Sequence, residues 1–526
     1  MSSDDSPEPD VRPDLAELRE RLAATTDEGR PEAVAKRRAT GQRTARENIA
    51  DLVDAGTFIE YGALALAAQR QRHSVEHLVR ASPADGVVCG IGTVNGRLFD
   101  ERRARAMVLA YDYTVFAGTQ GIMGHRKLDR MFAIAGDERI PIVLFAEGAG
   151  GRPNDVDVPT VAGLDTPSFL GFAALSGSMP RVAIASGRCF AGNAALLGSA
   201  DVVIATEDSS IGMAGPAMIE GGGLGVFKPE EIGPIDVQAK NGVVDVRVKD
   251  EAEAVEVAKR YLAFFQGKLE HFTCADQTSL RTALPERRRA AYKIRPIVDT
   301  IADTGSVLEL RRDFGRSVVT ALARIEGEPV GVLANDCHHL AGAVDSDAAD
   351  KATRFMQLCD AFGLPLISLC DTPGFMVGPK TEATAAVRHV SRMFIAAASL
   401  SVPYFTVVLR RGYGLGAQAM SGGHFHAPFF TVSWPGGEFG GMNLEGAVKL
   451  AMKKELAAIE NEADREQMFR TMVAFAYERG KAINMASLLE LDAVIDPADT
   501  RAWLVRGLRS AATRTRDARR RFVDAW

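Results

Sequence analysis

Apolar positions along the chain fall into two rhythms. Around Leu15–Ala24 and Pro31–Val53 they return every third or fourth residue, which predicts two amphipathic helices, the second ending at Gly56. Runs rich in β-branched residues, Gly86–Val94 and Ala106–Tyr113, read as strands. A loop, a helix over about Lys127–Asp137 and a strand at Ile142–Phe145 come next. Then the order is a helix over 167–176, a strand over 181–186, a turn at Gly187–Gly192, a helix to Gly198 and a strand at Val202–Ala205. A helix near Glu251–Gln266 closes the half. Strands alternating with helices imply crossover connections, hence an α/β fold. Residues 1–14 are polar and Pro-containing, and are expected to be disordered. An N-terminal domain over 15–270, a polar linker over 271–291 and a C-terminal domain over 292–526 complete the expected layout.

After the linker the pattern begins again. Phe116–Gly150 set against Leu340–Gly374, a shift of 224 positions, aligns Ala117 with Ala341, Gly118 with Gly342 and Lys127 with Lys351. Arg130 with Arg354, Pro141 with Pro365 and Gly150 with Gly374 follow, and acidic Glu147 faces Asp371. At a shift of 223, Pro180–Ala194 overlies Pro403–Ala417, each an apolar strand entering a glycine-containing elbow. A duplicated α/β domain accounts for blocks that agree in order and spacing.

The elbows carry the candidate chemistry. In Tyr404–Met420 an apolar run ends in Arg410 and Arg411, then Gly412, Gly414 and Gly416 give way to small, helix-compatible residues. A tight turn into a helix leaves backbone N–H groups without intrahelical acceptors, and these stabilise negative charge on a bound oxygen. Cys189–Ala194 offers a second such elbow. A reaction whose two participants both develop an oxyanion, such as enolisation of a thioester, uses a pair of them.

Composition narrows the class. The chain is 46% hydrophobic and 25% charged with a net charge of -6, an ordinary globular balance that gives no reason to expect nucleic acid or an anionic membrane surface. Six scattered cysteines without CxxC spacing point to free thiols in a reducing cytoplasm. No apolar run reaches 18 residues and the N-terminus is acidic, so neither a spanning helix nor a signal peptide is expected.

The ordered motifs ARENIADLVDAGTFIE (45–60), VNGRLF (94–99), YDYTVFAGTQG (111–121), EGAGGR (147–152), CFAGNA (189–194), GPAMIEGGG (215–223) and EEIG (230–233) belong together. In the second half IEGEPVGVLAN (325–335), KATRFMQLCDAFGLPLISLCDTPGF (351–375), RRGYGLGAQAM (410–420) and LDAVIDPADTR (491–501) continue them. From about Ala45 to Arg509 the chain resembles the carboxyltransferase (β) subunit of biotin-dependent acyl-CoA carboxylases, the acetyl-, propionyl- and methylcrotonyl-CoA carboxylase family. The resemblance implies two tandem crotonase-like domains and transfer of CO2 from carboxybiotin, carried on a partner chain, to the α-carbon of an acyl-CoA. It implies a biotin carboxylase/biotin carboxyl carrier partner and a homo-oligomer, a hexamer by resemblance, with no metal on this chain.

By motif position the two backbone oxyanion holes fall on Ala191, Gly192 and Asn193 and on Leu415, Gly416 and Ala417. Substrate contacts fall on Ala117, Gly118, Gly148, Ala149, Gly150 and Gly151 in the first half. In the second they fall on Ala341, Gly342, Gly374, Phe375 and Gln418. The sequence departs from the family at Ala191-Gly192, where Gly-Gly is usual, and at Leu415-Gly416. It departs again at Gln418, the position associated with acyl selectivity, and over Gly233–Asn241, so the acyl chain stays open.

Other motifs compete less well. Ala451-Met452-Lys453-Lys454 is similar to a biotinylation site but lies inside Glu445–Glu462, which reads as a helix rather than a hairpin tip. His73-Ser74-Val75-Glu76-His77 spells a zinc motif, against a polar surface segment as the plainer account. Cys337-His338-His339 and the His424/His426 pair are neighbours without a ligand set. Arg410 and Arg411 suit CoA phosphates or a solvated surface, and Asp371 a turn or a pocket wall. Three rival functions stay open: a decarboxylase subunit running the reverse reaction, a hydratase or isomerase of the crotonase class using Glu147, and a non-catalytic assembly subunit.

Overall fold

In the first half of the chain the strands are β1 (Ile59–Tyr61), β2 (Val87–Thr93), β3 (Arg105–Tyr111), β4 (Ile142–Phe145), β5 (Arg181–Ala185), β6 (Arg188–Phe190), β7 (Val202–Thr206), β8 (Ser210–Gly212) and β9 (Val246–Val248). Seven form one sheet in the order β1-β2-β3-β4-β5-β7-β9, while β6 and β8 pair with each other. The steps β1–β2 and β2–β3 are antiparallel, and β3–β4, β4–β5 and β5–β7 are parallel. The parallel strands β4, β5 and β7 are buried along their whole length, as strands covered on both faces must be. The computed structural model describes residues 12–158, 162–512, 523, 524 and 526.

The second half repeats the plan. Its strands are β10 (Leu308–Leu310), β11 (Val318–Ile325), β12 (Glu328–Asn335), β13 (Leu366–Thr372), β14 (Tyr404–Tyr413), β15 (Phe430–Ser433), β16 (Glu438–Gly440) and β17 (Ala493–Val494). They join as β10-β11-β12-β13-β14-β15-β17 with β16 beside β14. Two antiparallel steps again precede the parallel ones. The mixed α/β fold follows the alternation read from the sequence.

The offset of 224 residues recurs in the backbone. The helices Ile122–Glu138 and Ser346–Phe362 are both 17 residues long and both end on a left-handed residue, Arg139 (φ 53) and Gly363 (φ 76). Ahead of them run two matching left-handed triplets. These are Phe116, Ala117 and Gly118 (φ 49, 53, 64) and Leu340, Ala341 and Gly342 (φ 48, 52, 82). The isolated bridge Gln120–Gly151 reappears as Val344–Phe375.

The chain divides into two units. One runs through Gln238 and takes Arg247–Leu262; the other holds Ala239–Val246 and everything from Ala263 onward. The segment 271–291, expected as a linker, lies in the second unit. Leu280 (2% exposed) and Tyr292 join its core, and the carbonyls of Arg288 and Ala290 accept hydrogen bonds from Arg410. A few anchors and one arginine hold a stretch that lacks an apolar pattern of its own.

Three helical expectations change. Pro13 opens the first helix (Pro13–Ala23), so residues 12–14 of the expected disordered tail are ordered, and the remainder lies outside the described residues. The expected helix over 31–53 is two, Pro31–Arg38 and Ala45–Leu52, because Thr44 and Glu47 close a capping box between them. Glu445–Glu462 divides among Leu444–Ala451, Lys453–Ala457 and Glu462–Arg479, and the lysines of the biotinylation-like motif stand on an exposed helix.

The aligned lysines are buried. Lys127 Nζ donates to the carbonyls of Ala84 and Val87, and Lys351 Nζ donates to that of Phe314 at 2.9 Å. Burial pulls Lys351 down to about 7. Between that value and the ordinary 10.5 the unfolded chain holds a proton that the folded chain has shed. This group therefore adds stability as pH rises, by up to about 1.4 kcal/mol per pH unit, and the contribution is lost as pH falls toward 7. Lys351→Met is expected to remove that slope. Urea unfolding of parent and variant at pH 7, 8 and 9 measures it, and parallel pH dependences would refute the assignment.

Candidate functional site

The first elbow is β6 turning into the helix Gly192–Gly198. Its N-cap, Ala191, takes φ 51 and ψ -121, a conformation that L-residues rarely adopt and that surrounding structure must enforce. The Ala195 amide closes the first turn on the Ala191 carbonyl at 2.9 Å. The amides of Gly192, Asn193 and Ala194 consequently lack intrahelical acceptors. Ala191, expected as a donor beside them, is not one: its N–H donates to the Gly212 carbonyl at 3.0 Å. The β6–β8 pairing that positions the elbow consumes that group.

The structure gathers the sequence-derived residues of the first half around this elbow. The Ala149 amide donates to the Ala117 carbonyl (3.2 Å), Gln120 N–H to Gly150 O (2.7 Å) and Phe190 N–H to Gly148 O (2.9 Å). Contact is close enough to exclude side chains. A Cβ on Gly118 would stand 2.5 Å from the Glu147 carbonyl oxygen, and one on Gly148 would overlap Gly118 O and the Asn193 carboxamide. Gly151 bridges Gln120.

The second elbow is sharper than expected. β14 runs on through Gly412 to Tyr413, so the turn is confined to Gly414 (φ 59), the first residue of the helix Gly414–Met420. Gly414 and Ala191 are equivalent at the shift of 223, and both carry the left-handed pivot. With Tyr413 as N-cap, the amides of Gly414, Leu415 and Gly416 have no intrahelical acceptor. Ala417, expected as a further donor, is the next residue of this helix and is buried. Gly416 packs on the backbone of Gly374 and Phe375, and Ala341 and Gly342 join through the Gly342 carbonyl, which accepts from Thr372 Oγ1 at 2.8 Å. Gln418 and Leu415 are exposed on the helix surface.

Several side chains stand elsewhere than expected. Arg410 and Arg411 do not stand free in solvent: both bind Asp371, which is fully buried at the end of β13. Asp371 accepts from Arg411 Nε at 2.6 Å and from Arg410 Nη2 at 2.9 Å. Arg410 also stacks on Tyr292, 4.9 Å from the ring centroid. Burial pushes the Glu147 carboxyl up to about 7 against the opposing pull of Arg37, which binds both of its oxygens. His73 lies before the helix Val75–Ala81, stacked on His77 with centroids 4.7 Å apart. Among the described residues no group of three His, Cys, Asp or Glu side chains is placed to hold a metal ion.

Two asparagines escaped sequence reasoning. Asn193 was read for its backbone, yet its fully buried side chain accepts from Gly150 N–H (3.1 Å) and donates to Gly118 O (3.4 Å). Asn335, at the end of β12, accepts from Asp371 N–H (3.1 Å) and donates to Gly342 O (3.2 Å). A polar residue closing the apolar run EPVGVLAN was the available signal for the second.

Comparison with known proteins points to one family. The family model described as the carboxyl transferase domain matches residues 36–523. The biotin-dependent long-chain acyl-coenzyme A carboxylase beta4 subunit of Mycobacterium tuberculosis is 32% identical over 510 residues, covering 94% of this chain and 93% of that subunit. The methylmalonyl-CoA carboxyltransferase 12S subunit of Propionibacterium freudenreichii subsp. shermanii is 31% identical, covering 96% of this chain and 95% of its own. Among solved structures, a single-chain, multi-domain long-chain acyl-CoA carboxylase superposes with a TM-score of 0.90 at 56% identity over 94% of this chain. The chain spans about half, 49%, of that protein. The hexameric transcarboxylase 12S, solved with methylmalonyl-CoA, superposes with a TM-score of 0.84 at 28% identity, over 98% of this chain and 99% of its own.

Proposed function

The chain belongs to the carboxyl transferase domain family, and from that membership we propose that it is the carboxyltransferase component of a biotin-dependent acyl-CoA carboxylase. Two crotonase-like domains descended from one by duplication account for the equal helices, the matching left-handed triplets and the shared strand order. The reading rests above all on one observation. Each unit turns its strand into a helix whose first-turn amides have no intrahelical acceptor, and packs glycine backbone against that turn.

In the first unit the amides of Gly192 and Asn193 take the thioester oxygen as it gains negative charge. A preorganised donor of this kind is worth about 10²–10³ in rate. In the second unit the amides of Leu415 and Gly416 take the ureido oxygen of the biotinyl group, in a cradle that a methyl group on Gly416 would fill. Carboxybiotin, carried on a partner chain, supplies the CO2 and the base for the α-proton. The residues of this chain orient and stabilise both oxygens. Glu147, the carboxylate that a hydratase reading needs, is 7% exposed and bound on both oxygens by Arg37, which weighs against that rival.

An acyl-CoA, a biotinylated carrier and further copies of this chain are the proposed partners. No helix among the described residues is long and apolar enough to cross a membrane. The test is incorporation of labelled bicarbonate into a panel of acyl-CoAs by the chain purified with its biotinylated partner. Incorporation that requires both acyl-CoA and carrier is the expected result. Absence of label with every acyl-CoA tested would overturn the reading.

A further inference from the structure

We propose that Asn193 is a positioning residue whose side chain, separately from its backbone amide, braces the first elbow against the two loops beside it. The inference rests on the carboxyltransferase reading for its kinetic consequence and on geometry for the brace itself.

The carboxamide is fully buried and both of its ends are used. Its orientation is fixed, because only the oxygen can face the Gly150 N–H, and this turns the amino group to the Gly118 carbonyl. Three segments are tied by one side chain: the left-handed triplet ending at Gly118, the glycine loop at Gly150 and the elbow helix that carries Asn193. Phe116 (φ 49), Ala117 (φ 53) and Ala191 (φ 51) hold conformations that are costly for residues with a side chain and persist only where neighbouring structure over-determines them, and Gly118 (φ 64) and Gly150 (φ 89) turn the chain beside them. Asn193 stands where those three turns meet.

The second unit solves the same problem from another place. The carbonyl of Gly342, equivalent to that of Gly118, is held by Asn335. Asn335 aligns with Tyr111 of the first unit, and Asn193 aligns with Gly416 of the second. Each unit thus has one asparagine under the same glycine carbonyl, and neither has an asparagine at the position the other uses. In the second unit the brace spans Gly342 and Asp371 and leaves the elbow helix out of it. In the first unit the brace is part of the elbow helix, so losing it loosens the amides that face the thioester oxygen.

Asn193→Leu keeps the branched heavy-atom outline and the backbone amide while deleting the carboxamide, and Asn193→Ala deletes it with little bulk in its place. Both are assayed in the full chain assembled with its biotinylated partner. Since a displacement near one ångström costs on the order of a hundredfold, kcat is expected to fall about tenfold to a hundredfold with KM for acyl-CoA within about threefold. Hydrogen exchange of the segment holding Gly148–Gly151 is expected to quicken in both variants. A kcat within twofold of the parent in Asn193→Leu overturns the proposal, as does unchanged exchange of that segment. Should the parent transfer no carboxyl group to any acyl-CoA, the functional reading falls, and the exchange measurement still decides the brace.

Discussion

Replacing Gly416 by alanine is expected to lower carboxyl transfer by about a hundredfold or more in a chain that still folds. The added Cβ would stand 2.5 Å from the Gly374 carbonyl carbon, 2.7 Å from Gly374 Cα and 2.8 Å from Phe375 N. All three are backbone atoms, so no rotamer change relieves the contact. Either the elbow helix or the loop after β13 must move, and the amides of Leu415 and Gly416 leave their place relative to Gly374. Steady-state rates with the biotinylated partner measure the effect, together with circular dichroism to confirm the fold. A variant with parental kcat would show that this elbow does not hold a reacting group.

Asp371→Ala is expected to remove roughly 3–5 kcal/mol of stability, because it strands two guanidinium groups that one buried carboxylate now serves. Arg410 is 5% exposed, and its remaining acceptors are the carbonyls of Arg288 and Ala290, both neutral. Burial alone would raise the Asp371 carboxyl, but Arg411 and Arg410 outweigh it and hold it below the ordinary carboxylate range. A depressed value adds stability above about pH 4 that disappears as pH falls through the folded-state pKa. The gap between parent and variant should therefore be widest near neutrality and narrow in acid. Urea unfolding at pH 7 and at progressively lower pH measures it, and a gap under about 1 kcal/mol at pH 7 would contradict the reading.

The repeat was legible in the sequence because it is written in spacing. Ala117-Gly118 and Ala341-Gly342 survive as the same left-handed turn, and the aligned apolar runs survive as equal helices. Strand-to-elbow junctions were legible for the same reason, since glycine marks where the backbone bends. What escaped was long-range and carried by side chains. The pairing of Arg410 and Arg411 with Asp371 joins positions 39 and 40 residues apart, and no local pattern announces it. Asn193 was read as a possible backbone donor because its neighbours were. Ala191 was misassigned as a donor because a glycine-rich motif locates a turn without saying which amide is already spoken for. The split at Thr44 was readable, since Thr44-Ala45-Arg46-Glu47 spells a capping box, but the longer apolar rhythm masked it.

The offset braces bear on how freely the two halves can trade parts. A graft of the second elbow into the first unit would bring Gly416 to the place of Asn193 and leave Tyr111 where the donor unit relies on Asn335. The Gly118 carbonyl would then have no carboxamide on either side. The reverse graft would crowd two asparagines beneath Gly342. The two units are thus mutually incompatible at one hydrogen bond, so any recombination between them must carry strand end and elbow together as a single block.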